Sequence, residues 1–375
     1  MKRYVCGVLL SVCGAVHAQS SVDLYGVIDA GITYVNNTGG SRLVAFDDSA
    51  NVGNRVGLRG TEDLGGGYRA IFTLENGFAL GTGKFRQGGR MFGRQAYVGL
   101  ENGLGSVTLG NQYDYMSEWV APFSATGFAF AYGAHLGDFD REAGDRLENA
   151  VKATTANWNG FRAGAMYSFG NVAGSVHTNS AWSVAMKFDR GPLSAAAVYT
   201  RINNPHDIAA LDPYYQAGVT TFLGQAVATR DPATGQVTDL YPYSNAFAVD
   251  SQSVAGVGGS YQLGKLTLMG NVTFTTFKGY GTHETFSAYE AGATYSVTPA
   301  LLAIVGYQYE HASGAHWHQP TAGVYYYLSK RTSLYTALTY MAASGAYASA
   351  GQGYEFAPSS NHHQMAARVA MIHRF

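Results

Sequence analysis

The sequence predicts an all-β fold, a transmembrane antiparallel up-and-down β-barrel of about 16 strands. Three observations predict it. Apolar and polar residues alternate at period two in segment after segment. The connections between those segments are by turns short and long. Beyond the N-terminal leader, no run approaches the ~20 apolar residues that a membrane-spanning helix needs.

The leader comes first. Met1-Lys2-Arg3, an apolar run over residues 4–16 and the small-residue site Val16-His17-Ala18 form a secretory signal cut after Ala18. Residues 1–18 are therefore expected to be removed and 19–375 to form one barrel domain. Reading Leu10-Ser11-Val12-Cys13 as a lipoprotein box is disfavoured by the bulk of Val12. Both cysteines, Cys6 and Cys13, leave with the signal, so the exported chain has no disulfide. Losing Lys2 and Arg3 leaves 22 basic against 25 acidic residues, a net charge of −3. No basic surplus is available for nucleic acid.

Residues 22–32 alternate with Asp23 and Asp29 on the polar side. Residues 54–78, NRVGLRGTEDLGGGYRAIFTLENGF, read as a hairpin about Gly65-Gly66-Gly67. Val56, Leu58, Tyr68, Ala70, Phe72 and Leu74 share one face, while Arg55, Arg59, Arg69, Thr73 and Glu75 share the other. In a soluble sandwich the apolar face would be the core; in a membrane barrel it meets lipid and the charges line a wet interior. Residues 161–169 repeat the pattern with Arg162 on the polar side. So do 182–188, 193–199, 266–274, 289–295, 301–309, 324–328, 334–340 and 365–375.

Short connections fall at 65–67, 101–105, 158–160, 189–192, 263–265, 298–299 and 329–332. Long ones fall at 36–53, 111–149, 202–250 and 342–361, with shorter members near 79–89, 170–180, 278–286 and 311–320. Strict alternation of the two classes puts turns at one end and loops at the other, as outer-membrane barrels have. Aromatic usage agrees: 27 Tyr against 4 Trp suits strand ends at a membrane interface, where a ring is apolar in body and polar at its tip. The membrane barrel is the better reading, and residues 111–149 are long enough to hold a short helix.

SSVDLYGVIDAGITY (20–34), the 54–78 hairpin, FGRQAYVGLENGLGSVTLGNQYD (92–114), YYLSKRTSLYTALTY (326–340) and the terminal HRF together resemble the general, non-specific trimeric porins of Gram-negative bacteria, in their beta-proteobacterial branch. The resemblance covers essentially 20–375. It implies a homotrimer of 16-stranded barrels in the outer membrane, among lipid and lipopolysaccharide, with the third loop folded inward. It implies passive diffusion of ions and small hydrophilic solutes through a constriction between loop acids and wall arginines. By the same resemblance Arg55, Arg94 and Arg146 match the basic wall, with Arg59 at a further position along it. Glu118 matches the loop carboxylate; no glutamate follows Pro122, so Asp114, Asp138 or Asp140 stands in for a second one. Arg69, Lys152, Arg162 and Glu75 add lumen charge. Alternation back from Leu100 and Val98 would send Arg94 to the lipid side, whereas the family pattern places it inward. The aromatic terminus Phe375, on a strand alternating through His373, Met371, Val369 and Ala367, resembles the tag read by the outer-membrane insertion machinery.

Other chemistry is weaker. Asp138-Phe139-Asp140-Arg141-Glu142 has the look of a calcium loop, but Ala143 stands where a sharp-turn glycine belongs, so it reads as a solvated acidic loop. His311, His316, His318, His362 and His363 read as surface histidines of two late loops. No metal and no cofactor are expected. A barrel enzyme would need a nucleophile with His and acid partners, yet there is no G-x-S-x-G and strand histidines are confined to the last strand. A substrate-specific uptake channel is the other alternative.

Overall fold

In a computed structural model of the chain, residues 20–129, 131–205, 219–241, 247–312, 314–345, 348–352 and 356–375 are described. The leader, 1–18, lies outside them. Strands dominate. Two short hairpins within 221–239 apart, the strands in chain order are β1 (Ser21–Thr38), β2 in two pieces (Ser41–Asp48 and Arg55–Gly65), β3 (Tyr68–Gly77), β4 (Gln95–Asn102), β5 (Gly105–Tyr113), β6 (Arg146–Thr155), β7 (Phe161–Ser168) and β8 (Ala181–Arg190). Then follow β9 (Leu193–Asn203), β10 (Ser251–Leu263), β11 (Leu266–Gly279), β12 (Thr282–Thr298), β13 (Leu301–Ala312), β14 (Ala315–Tyr327), β15 (Thr332–Ser344) and β16 (His363–Arg374). Each pairs antiparallel with its neighbour, and β16 returns to β1 in the register Val27↔Arg374 to Val35↔Ala366. The sheet is a closed 16-strand barrel.

Closure has a local cause. Phe375 and Gly26 exchange backbone hydrogen bonds of 3.0 and 3.1 Å. A Cβ on Gly26 would come within 2.2 Å of the Phe375 ring, so the glycine makes the seat for the terminal aromatic.

The split in β2 also has a cause. Both pieces pair with β1, the first along residues 30–38 and the second along 21–27. Between them Ser49 takes φ 66°, and the ladder is replaced by side chains: the amides of Asn51 and Val52 donate to Asp29 Oδ2 at 2.6 and 3.1 Å. Asn54 accepts from the Asp29 amide at 2.6 Å. Asp29 is held in turn by Arg368, whose guanidinium also reaches Asp47 (3.0 Å), Thr33 (2.9 Å) and Tyr335 (2.7 Å). Arg368 is fully buried, on the inward parity of β16.

The faces follow the expected alternation. Val22, Leu24, Val98, Leu100, Val107 and Leu109 are exposed on the outside, as are Val305, Val324 and Val369. Their partners at odd spacing, such as Asp29, Glu75, Lys152, Glu290 and Gln308, are buried on the inside. Gly65, Gly66 and Gly67 all take positive φ, 79°, 63° and 82°, which explains three consecutive glycines in one turn.

Three expected loops are strand instead. Residues 36–53 continue β1 and begin β2 around Gly39-Gly40; 278–286 are the ends of β11 and β12 around Tyr280-Gly281; 311–320 belong largely to β13 and β14. Short and long connections therefore do not alternate strictly. Residues 278–286 and 311–320 carry few aliphatic side chains, so the hydropathy contrast that marks a strand fades although the pairing continues; in the first hairpin, Asn36-Asn37 and Gly39-Gly40 interrupt it. His311, His316 and His318 consequently sit on strands, the last two bonded to tyrosines (His318 Nδ1–Tyr307 OH 2.5 Å, His316 Nδ1–Tyr309 OH 2.6 Å) and His311 packed against His316, and strand histidines are not confined to β16.

Residues 114–145 join β5 to β6 with short helical turns, including α1 (Ala125–Ala129). Most of their described apolar side chains, Phe128 excepted, are buried against the strands. Tyr115, Met116, Trp119, Val120 and Phe123 pack with Leu147, Met166, Val198, Ile202 and Val254, while Leu136 and Phe139 pack with Phe277, Phe286 and Trp317. Full burial of such a side chain contributes about 1.5–3 kcal/mol each. Wall glycines make the space: a Cβ on Gly164 would fall 2.3 Å from Tyr115, on Gly256 2.5 Å from Met116, on Gly258 2.7 Å from Phe123, on Gly292 2.3 Å from Ala125 and on Gly306 2.6 Å from Thr126.

Candidate functional site

Charged side chains on the inner wall gather on β2–β6. Glu75 is the centre: Arg94 Nε lies 2.8 Å from its Oε1, Arg55 Nε 3.5 Å from its Oε2, and the Tyr25 hydroxyl donates to it at 2.9 Å. Arg146 completes the group. Its Nε donates to the Arg94 carbonyl at 2.6 Å, its Nη2 donates to the Tyr113 hydroxyl at 2.9 Å, and its guanidinium lies 4.5 Å over the Tyr113 ring. Arg94 also bonds the Tyr113 hydroxyl. The first three expected wall arginines thus meet around one carboxylate and one tyrosine, an arrangement that charge alternation alone did not reveal. Tyr113, unassigned in the sequence, is at the inward end of β5.

Arg94 points inward. It precedes the first residue of β4 and sits in a bend whose amide donates to the Glu75 carbonyl at 3.2 Å, so the alternation of β4 does not extend to it. Arg59 stands apart, paired with Asp23 at 3.4 Å and largely exposed. Arg69 pairs with Glu101 at 2.8 Å and Arg162 with Asp189 at 2.7 Å.

The acidic side departs from expectation. Glu118 is held by Lys152 at 2.5 Å, on β6 next to the arginines, rather than standing opposite them. Asp114 is wholly buried in a pair with Arg141 Nε at 2.5 Å. Asp138 and Asp140 are 7% and 3% exposed, so neither presents its charge to an open channel and the segment is no solvated acidic loop. Asp138 accepts from the Ala143 amide, and Asp140 contacts His135 and Thr273. Burial was not legible in the sequence, because it depends on how the loop folds on itself to bring Arg141 and His135 to these acids and on Thr273 from β11, far along the chain.

The loop is tied to those strands by hydrogen bonds. The Thr126 amide donates to Glu290 and the Leu136 amide to Glu310, both at 2.7 Å; Gln252 and Gln319 donate to the carbonyls of Phe139 and Tyr132. Burial opposes a charged imidazole at His135, but the adjacent Asp140 and Glu142 outweigh it and hold its pKa well above the ordinary histidine value. Burial would raise Asp140, yet His135 keeps it low; burial and the Asp140 charge push Glu142 up.

The pattern of the Gram-negative porin family matches residues 6–346. The chain belongs to the Gram-negative porin family. Outer membrane porin protein 32 of Delftia acidovorans is 30% identical over 357 residues, 91% of this chain and 89% of the relative. An outer-membrane porin of Bordetella pertussis is 33% identical over 222 residues, 52% of this chain and 57% of the relative. Among solved structures, the anion-selective porin from Comamonas acidovorans is similar with a TM-score of 0.76 and 25% identity, covering 95% of this chain and all of that one. This porin is accordingly a passive channel of the outer membrane and not an enzyme.

Proposed function

We propose that this porin is a non-specific diffusion channel with a preference for anions, narrowed where residues 114–145 fold into the lumen opposite the arginine wall. One observation carries the reading: Arg55 and Arg94 share a single carboxylate, Glu75, and Arg146 adds a third guanidinium through Arg94 and Tyr113, while Asp114, Asp138 and Asp140 are buried. The charge offered to a passing solute is therefore mainly positive, and fixed side-chain charge in a narrow lumen sets ion preference. The similar Comamonas acidovorans structure is of an anion-selective porin, which agrees. The reversal potential of the purified protein in a potassium chloride gradient tests it. Anion preference is expected; cation preference would show that acids elsewhere set the field. Blockade of single channels by a solute at low concentration would instead mark a substrate-specific channel.

The assembly is proposed to be a homotrimer, the form named for one structural relative, OmpT of Vibrio cholerae. Export is proposed to remove residues 1–18, and the intact mass of the mature chain checks it. We further propose that Phe375 serves recognition by the insertion machinery as well as closure.

A further inference from the structure

Away from the arginine wall, a second concentration of ligating side chains lies where the loop meets β11–β13. His135 Nδ1 is 2.5 Å from Asp140 Oδ2 and 4.0 Å from Glu142 Oε2, and its Nε2 is 3.2 Å from Glu290 Oε2. One ligating atom from each of His135, Asp140 and Glu142 lies within 4.8 Å of the others. Glu310 joins them from β13: with His135 and Asp140 it lines a pocket of about 20 Å³, room for one water-sized occupant.

An independent observation points into that pocket. Asp140 Oδ1 and Glu310 Oε2 are buried without a hydrogen-bond partner, in residues only 3% and 6% exposed. The donors nearby are already engaged: Thr273 bonds Asp140 Oδ2, Asn271 bonds Glu142, and the Leu136 amide bonds Glu310 Oε1. Three carboxylates thus contact one imidazole, and a fourth, Glu310, lines the pocket beside it. A buried carboxylate oxygen that accepts nothing carries the desolvation cost of an unmade bond, and a cation removes that cost at once for several such oxygens.

We propose that His135, Asp140, Glu142 and Glu310 form a divalent-cation site. An imidazole nitrogen among carboxylate oxygens favours a first-row ion such as Zn²⁺ or Mn²⁺ over Ca²⁺, which prefers oxygen alone. The ion takes His135 Nδ1, on the side of Asp140 and Glu142. Glu290, on the other ring nitrogen, orients the imidazole, as a carboxylate behind a ligating histidine does. Three ligands belong to the loop and one to the wall, so the ion fastens the loop to β13. The site does not depend on anion preference, which rests on the opposite arc of the barrel.

The test is metal binding by the intact, detergent-solubilised protein. After stripping with chelator, Zn²⁺ and Mn²⁺ are titrated calorimetrically and retained metal is counted by mass spectrometry. One ion per chain is expected, with a raised unfolding temperature when it is bound. Asp140→Asn with Glu142→Gln should weaken binding about tenfold or more, whereas His316→Ala with His318→Ala should leave it unchanged. If the loop double variant fails to assemble, Glu310→Gln decides in its place, since its amide oxygen still accepts from Leu136. No ion retained by the wild type, or binding lost only with the surface histidines, would overturn the site.

Discussion

Glu75 is one acid shared by two arginines, with a third two contacts away, and the inequality makes it a sensitive residue. Neutralising Arg94 removes positive charge from the channel and also frees Glu75, so Arg94→Gln should lower the anion-to-cation permeability ratio more than Arg59→Gln, whose partner Asp23 is solvated. Reversal potentials of the two variants check this; equal effects would sink the ranking. Arg368 shows a structural charge. Replacing it by Met strands Asp29 and Asp47 in the wall, and breaking such a buried pair costs about 3–5 kcal/mol. Urea unfolding in micelles should show a shift of that order. Arg55 and Glu75 were legible because period two survives intact over the hairpin. Asp114, Asp138 and Asp140 were not. A carboxylate in a loop looks the same in sequence whether wet or buried, and its fate was decided by Arg141, His135 and Thr273.

At the scale of the element, the segment 114–145 is held by shape as well as by hydrogen bonds and an ion pair. Gly258 on β10 admits Phe123, and Gly292 on β12 admits Ala125. Gly258→Val should push the loop off the wall and raise single-channel conductance while the barrel still assembles. Unchanged conductance in a well-assembled variant would show that the loop does not limit flow. The hairpins at 36–53, 278–286 and 311–320 went unread for a related reason. Alternation identifies a strand only where its two sides differ in polarity, and that contrast fades at 278–286 and 311–320. Tight turns such as Gly65-Gly66-Gly67 were legible because positive φ leaves its mark in residue type.

For the whole molecule, the closing ladder between the first strand and the last ends on one seat. Phe375 pairs with Gly26 across the seam between the first strand and the last. Deleting Phe375 should lower the yield of assembled oligomer on a native gel, and Gly26→Val should do the same by filling the seat of its ring; normal yields of both would remove the seam from any role in assembly. Strand number was legible because each strand needs its own apolar face toward lipid, and the closed ring then follows from there being no edge to leave bare.

The five glycines at 164, 256, 258, 292 and 306 lead further. They lie on β7, β10, β12 and β13, so the segment 114–145 packs tightly against that arc and reaches β2 and β6 through polar contacts such as Lys152–Glu118 and Tyr132–Asp47. On the proposed channel reading, this packing sets the bore off-centre, and a permeating ion would pass nearer the guanidinium groups than the middle of the ring. Side chains missing from one wall would then select the residues that an ion meets on the other.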